Sequence, residues 1–238
     1  MTLDRTSPST LITGASTGLG REFARAALAA GHGVTITGRH PETLDEAVAD
    51  LVAADGVTAD RVLAIAADAS SWDDTRRVMD AHLERFGGLD VAVANAGFTA
   101  PGDLATGDPA RWESMVLTNV LGPALLTKAA DAPLREREGR LVFLGSVAGR
   151  VNRPGSLYSA TKHAVTALAE NVRMQYIGSG VRVTVLNPGV VDTPFWEEGT
   201  PPVSVSAAEV AATLSWLLTL PGGVDVNELT IRPVGQVV

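Results

Sequence analysis

Thr13-Gly14-Ala15-Ser16-Thr17-Gly18-Leu19-Gly20 follows directly on a short β-like run, Thr10–Thr13, and opens onto a helical pattern. Glycines at such a junction let the backbone turn tightly and let a pyrophosphate approach it closely. The helix behind them offers free N–H groups and a positive dipole end to phosphate. Ser16 and Thr17 add hydroxyl donors. Gly14, Ser16, Thr17, Gly18, Leu19 and Gly20 therefore form a candidate phosphate cradle. The spacing is G-x3-G-x-G rather than the usual G-x-G-x-x-G. A glycine-rich turn with no ligand would read similarly in isolation; its place after the first strand is what favours a nucleotide.

Outward from this stretch, further β-like runs occur at Gly33–Thr37, Val62–Ala66, Val91–Ala94, Leu141–Leu144, Val181–Leu186 and Glu228–Ile231. Amphipathic stretches separate them. In 41–54, Leu44, Val48, Leu51 and Val52 fall on one helical stripe, and Pro41 suits the first turn. In 206–219, Ser206 and Glu209 make a capping box ahead of an apolar face. Apolar strands alternating with helices imply an α/β fold. The expected form is a Rossmann-type, doubly wound parallel sheet of about seven strands with helices on both faces. The chain reads as one domain, 1–238, with the irregular segment 192–205 as a substrate lid.

Composition narrows the function. The formal net charge of -8 opposes nucleic acid and anionic membrane as partners. With no cysteine there is no disulfide, thiolate chemistry or Cys-ligated metal, and the four histidines show no metal-ligand spacing. No metal site is expected. The polar start MTLDRTSPST carries no signal segment, and the apolar run Ala207–Leu220 is shorter than a membrane span. A cytoplasmic protein is the default expectation. Only Lys128 and Lys162 stand against seventeen arginines, so each lysine is worth locating.

Strand two ends at Gly38-Arg39, with no carboxylate until Glu42. An acid there would bind the ribose 2′-OH of NAD; an arginine accommodates the 2′-phosphate of NADP. The expected cofactor is therefore NADP(H), with NAD(H) second. Asp68, after strand three, is placed to reach an adenine edge or to make a turn before Ser71. Asn95, Ala96 and Gly97 follow strand four, where the asparagine can brace the sheet and the glycine can admit a cofactor.

Tyr158 and Lys162 stand four residues apart in the helical stretch Ser156–Ile177 and share a face. A phenol with a reference pKa of about 10 is a poor base at neutral pH, and a neighbouring ammonium favours its phenolate. Tyr158 can then exchange a proton with a substrate oxygen. Lys162 tunes it and binds the nicotinamide ribose. Ser146 closes strand five, at the sheet edge where ligands bind, and can hydrogen-bond the same oxygen. Asn119, a polar amide inside a helical stretch, would hold a water leading to Lys162.

These residues together resemble the short-chain dehydrogenase/reductase family, in its shorter single-domain form. The matching stretches are TGASTGLG at 13–20, Asn95-Ala96-Gly97, Asn119, Ser146, Tyr158 to Lys162, and Asn187-Pro188-Gly189 with Thr193, spanning residues 9–193. The resemblance implies hydride transfer between a nicotinamide and a small alcohol or carbonyl substrate. It also implies that Pro188, Gly189 and Thr193 contact the nicotinamide end, and that the chain forms a homodimer or homotetramer through the helices bearing Asn119 and Tyr158. Two positions depart from the family pattern. Ala94 replaces a frequent asparagine, and Thr17 stands where many NADP-preferring members have a basic residue, so the NADP reading rests on Arg39. A sensor or scaffold of the same fold is the competing reading, but such proteins lose the Tyr or the Lys. An epimerase or dehydratase on nucleotide sugars would need a larger substrate domain. Val147, Asn152, Arg153, Phe98, Phe195 and Trp196 are candidate pocket walls. Arg153 would attract a carboxylate, and Glu197 and Glu198 would repel one.

Overall fold

The computed structural model describes residues 7–54, 56–196 and 199–237. Its first half runs β1 (Ser9–Ile12), α1 (Gly18–Ala29), β2 (Gly33–Gly38), α2 (Pro41–Val52), β3 (Val62–Ala66), α3 (Trp72–Phe86) and β4 (Val91–Ala94). The second half runs α4 (Pro109–Val116), α5 (Gly122–Arg137), β5 (Arg140–Leu144), α6 (Leu157–Gln175), β6 (Arg182–Pro188), β7 (Val191–Asp192), β8 (Val205–Ser206), α7 (Ala207–Thr219) and β9 (Glu228–Ile231). Seven strands form one sheet in the order β3-β2-β1-β4-β5-β6-β9, parallel throughout. The order reverses between β1 and β4. That is the crevice where doubly wound sheets bind ligands, and the expected Rossmann-type fold is the one found.

The central strands read as unbroken apolar runs because both faces are covered. Alternate side chains go to opposite layers. Ile12, Val34, Ile36, Val93 and Val142 pack with α1, α2 and α7, whereas Leu11, Ala92, Phe143, Val183 and Val185 pack with α3, α5 and α6. Local signals set the helix ends. Pro41 opens α2, the Ser71 hydroxyl caps α3 at Asp74 N, and the Ser206–Glu209 capping box opens α7. Strand ends differ from the sequence reading by a residue or two: β1 begins at Ser9 and β6 continues to Pro188. The segment read as irregular from Asp192 to Val205 is pinned at both ends, where Val191↔Val205 and Asp192↔Ser206 pair as a parallel two-strand ribbon. Among the described residues no helix is long and apolar enough to cross a membrane.

At the amino edge of the sheet, His82 of α3 is fully buried. Its Nδ1 lies 2.7 Å from Thr35 Oγ1, and its Nε2 lies 3.1 Å from Gly88 O and 3.2 Å from Ser9 Oγ. Burial holds this imidazole at about 4 against an ordinary 6.5. The unfolded chain therefore binds the proton first, and stability falls as pH drops from 6.5 towards 4. The full gap is worth about 3 kcal/mol. Thermal unfolding followed across that window should show His82→Asn losing less stability than the parent. The carboxylates are common to both proteins, so the difference isolates the imidazole.

Candidate active site

The turn after β1 is built around Gly14, whose φ of +65° is open to glycine and strained for other residues. A Cβ there would lie 2.7 Å from Ala96 Cα, so the loops after β1 and β4 touch backbone to backbone. Asn95 locks that contact. Its Nδ2 donates to Thr13 O (2.9 Å) and Gly14 O (2.7 Å), while Thr13 Oγ1 accepts from Asn95 N and Ala96 N. Asn95 is thus the brace expected of it. Thr13 was not singled out, since a strand-end threonine gives no signal of its own. Helix α1 then starts with no side-chain cap at Thr17 and no acid in its first turn. Its free N–H groups and positive end are left for an anion.

Two cavities lie along this edge. One of about 570 Å³ is walled by Thr17, Gly18, Leu19 and Gly20 from the cradle, then by Asn95, Ser146, Tyr158, Lys162, Pro188, Gly189 and Thr193. Another of about 290 Å³ is walled by Gly14, Ser16, Asp68, Ala96 and Gly97. Thr17, Arg39 and Phe98 belong to both walls. Asp68 is the sole carboxylate among the described lining residues of either. Its Oδ1 accepts from Ser70 N (2.8 Å) and Ser70 Oγ (2.7 Å), so it makes the expected turn while also facing the smaller cavity. Arg39 is exposed at the mouth, its guanidinium 5.9 Å from the Phe98 ring centre. Glycine backbone, an uncapped helix start and an arginine at the end of β2 fit a dinucleotide laid along the strand ends.

Tyr158, Lys162 and Ser146 converge on the larger cavity, at the carboxyl ends of β5 and β6. Lys162 is 5 % exposed, and its Nζ donates to Leu144 O at 2.8 Å, leaving two donors for the cavity. A Cβ on Gly97 would lie 3.1 Å from Asn119 Oδ1 and 3.7 Å from that Nζ, so the crowding at this glycine is against Asn119 and the lysine contact is ordinary packing. Burial lowers Lys162 to about 8. Tyr158 differs from expectation. Burial pushes its phenol up to about 12, against a Ser146 hydrogen bond and the Arg153 charge, which both pull down. Lys162 does not lower it: the ammonium is turned onto Leu144 O and lies 5.8 Å from the Tyr158 ring centre. Desolvation outweighs both pulls although Tyr158 is half-buried and faces the cavity, because most of its ring is packed away from water.

A π-helical turn, Leu117–Leu121, joins α4 to α5, and Asn119 within it is 1 % exposed. Its Oδ1 accepts from Phe98 N (3.0 Å), and its Nδ2 donates to Phe98 O (2.9 Å) and Thr161 Oγ1 (3.1 Å). The side-chain amide fixes Phe98 against α6. Asn119 lines neither cavity.

Of the proposed pocket walls, Val147, Arg153, Phe98, Phe195 and Trp196 line the larger cavity, and Asn152 does not. The Phe195 ring lies 5.8 Å from that of Tyr158 and 5.4 Å from that of Trp196, whose indole N–H donates to Val191 O at 2.9 Å. Glu197 and Glu198 lie outside the described residues. Gln236 has no signal in the sequence, whereas Asn187 belongs to one of the stretches that resemble the family. Gln236 lines the cavity and accepts from Val190 N (3.0 Å), a contact spanning 46 residues with no local signal. Asn187, fully buried, accepts from Ser146 N at 3.2 Å.

A dinucleotide cradle opening onto a Tyr, Lys and Ser at one sheet edge defines an oxidoreductase-type Rossmann site. The family model for short chain dehydrogenases matches residues 9–202, and the chain belongs to that family. An uncharacterised oxidoreductase of Staphylococcus epidermidis is 30% identical, the match covering 94% of this chain and 96% of that protein. The alcohol dehydrogenase of the archaeon Thermococcus sibiricus, solved with 5-hydroxy-NADP, superposes with a TM-score of 0.88 at 30% identity, over 96% of this chain and 97% of that one. An actinorhodin polyketide ketoreductase variant, solved with NADPH, gives 0.87 at 28% identity over 98% of each chain.

The two lysines make the burial of Lys162 directly measurable. With 13C-labelled lysine, one of two side-chain signals should titrate near 8 and vanish in Lys162→Met. A Lys162 signal titrating near the ordinary 10.5 would mean that water reaches the ammonium.

Proposed function

We propose that this protein is an NADP(H)-dependent oxidoreductase that interconverts a secondary alcohol and a ketone. The observation that carries the reading is the convergence of Tyr158, Ser146 and Lys162 on the cavity that the glycine cradle also lines. The ligands of two similar solved structures, 5-hydroxy-NADP and NADPH, support the choice of cofactor, as does Arg39 just after β2.

Gly14, Ser16, Thr17, Gly18, Leu19 and Gly20 would hold the pyrophosphate, Arg39 the 2′-phosphate and Asp68 the adenine side. Ala96 and Gly97 would let the cofactor pass close to the backbone after β4, Pro188, Gly189 and Thr193 would line the nicotinamide side, and Lys162, with two free donors, would hold ribose hydroxyls. Bound NADP(H) supplies or accepts the hydride. Ser146 binds the substrate oxygen. Tyr158, protonated at neutral pH because burial holds its pKa near 12, gives that oxygen a proton. A neutral phenol favours the reductive direction near pH 7, whereas oxidation needs the phenolate. Asn119 acts by holding Phe98 and α6 in register. The chain works as one domain, with 192–205 closing over an apolar substrate face made by Phe195 and Trp196. A homodimer or homotetramer is the proposed assembly and the cytoplasm the proposed location.

Tyr158→Phe should lower turnover on a ketone panel by about 10²–10⁴-fold while leaving the NADPH Kd unchanged. Wild-type turnover in that variant would overturn the mechanism. Arg39→Ala should weaken NADPH about 10–100-fold, as expected for loss of a charged hydrogen bond, and leave NADH binding unchanged. Equal losses for both cofactors would remove the 2′-phosphate role.

A further inference from the structure

Ser146 sits on a 3-10 turn, Val147–Gly149, that must hold its hydroxyl at a fixed distance from Tyr158. The turn is short, and the Ser146 hydroxyl accepts from Ala148 N at 3.1 Å within it. On one side the turn is docked to α6. The Ser159 hydroxyl, buried beside Tyr158, reaches Ala148 O at 2.7 Å and Val151 O at 3.1 Å. On the other side it is held by a chain of polar contacts from the last strand. Ser146 N donates to Asn187 Oδ1 (3.2 Å), and Asn187 Nδ2 donates to Glu228 Oε1 (3.3 Å). That same oxygen of Glu228 pairs with Arg150 Nε at 3.0 Å. Arg150 is the residue that ends the turn. The contacts therefore close a ring: Ser146, its own turn, Arg150, Glu228, Asn187 and back to Ser146.

We propose that Glu228 and Asn187 are positioning residues for the reaction. Glu228 closes this ring, and the ring fixes where the Ser146 hydroxyl stands relative to Tyr158. The inference rests on the function proposed above, in which Ser146 binds the substrate oxygen.

Physical considerations favour position over stability as the purpose of the ring. The Arg150–Glu228 pair is about one-third to two-fifths exposed, and such pairs contribute little to folding. Asn187, by contrast, is fully buried, so both ends of its amide need partners. Glu228 satisfies the Nδ2 end and thereby fixes which way the amide points. With Glu228 absent, the amide loses its reason to present Oδ1 to Ser146 N, and the serine turn gains freedom. A displacement of the reacting groups by about 1 Å can cost on the order of 10²-fold in rate.

The test compares Glu228→Ala, Glu228→Gln and Arg150→Ala in the full-length protein, with Tyr158→Phe assayed alongside. Unfolding midpoints of the three ring variants should stay close to the parent. Glu228→Ala should lower kcat about 10- to 100-fold with the NADPH Kd unchanged. Glu228→Gln, which keeps the acceptor for Asn187, should recover most of that loss. The Arg150→Ala and Glu228→Ala losses should be less than additive when combined, since both open the same ring. Parent-like kcat in Glu228→Ala, or no rescue by Gln, overturns the inference. If Tyr158→Phe is inactive while Glu228→Ala is normal, this inference alone fails. If Tyr158→Phe keeps full turnover, the functional reading beneath it fails.

Discussion

Lys162 donates to the carbonyl of Leu144 at the end of β5, in a wall that admits almost no water. An ammonium is costly to bury, and the acceptor that meets this one is a backbone carbonyl rather than a carboxylate. Burial pulls its pKa down to about 8, which still leaves it mostly charged at neutral pH. The arrangement needs a strand that ends just there and a helix that starts just beyond it. Moving β5 or α6 by one residue would aim the lysine into the core or into solvent. The remainder of the site is organised around that constraint.

Each neighbouring feature holds one loop of the carboxyl edge to the next. Asn95 ties the loop after β4 to the glycine turn after β1. Asn119 ties Phe98 of that loop to α6 through Thr161. Asn187 ties the end of β6 to the serine turn after β5. Three asparagines thus do in side chains what a sheet cannot do once its strands have ended. Each amide offers a donor and an acceptor, which suits a loop edge where both kinds of backbone group are left over. The proposed chemistry uses the rigidity that results, because Tyr158 and Ser146 belong to different elements and must meet at one substrate oxygen.

Much of this was legible in the sequence. Strand positions came from apolar runs, which a doubly covered sheet makes conspicuous, and the capping box at Ser206 came from local hydrogen-bond chemistry. The glycine cradle and the pair at Tyr158 and Lys162 were readable because their spacing is short. Contacts over long separations were not. Gln236 reaching Val190, and Glu228 reaching Arg150 and Asn187, depend on β9 joining the sheet at its edge, which no local pattern specifies. The raised Tyr158 pKa runs against the sequence expectation for a physical reason. Sequence reveals which charge lies four residues away, but not how much solvent has been excluded from both groups. Asn119 stands out in the sequence as an amide inside a helical stretch, but its ties to Phe98 and Thr161 depend on a π-helical turn that has no composition signature.

The most direct test of the proposed hydride and proton paths uses NADPH carrying deuterium at nicotinamide C4, turned over with a ketone that the protein accepts. Deuterium on the carbinol carbon of the product, with the hydroxyl proton drawn from solvent, is the predicted result. Deuterium released to water, or NADPH that binds in the cleft yet is never oxidised by any carbonyl compound, would contradict it.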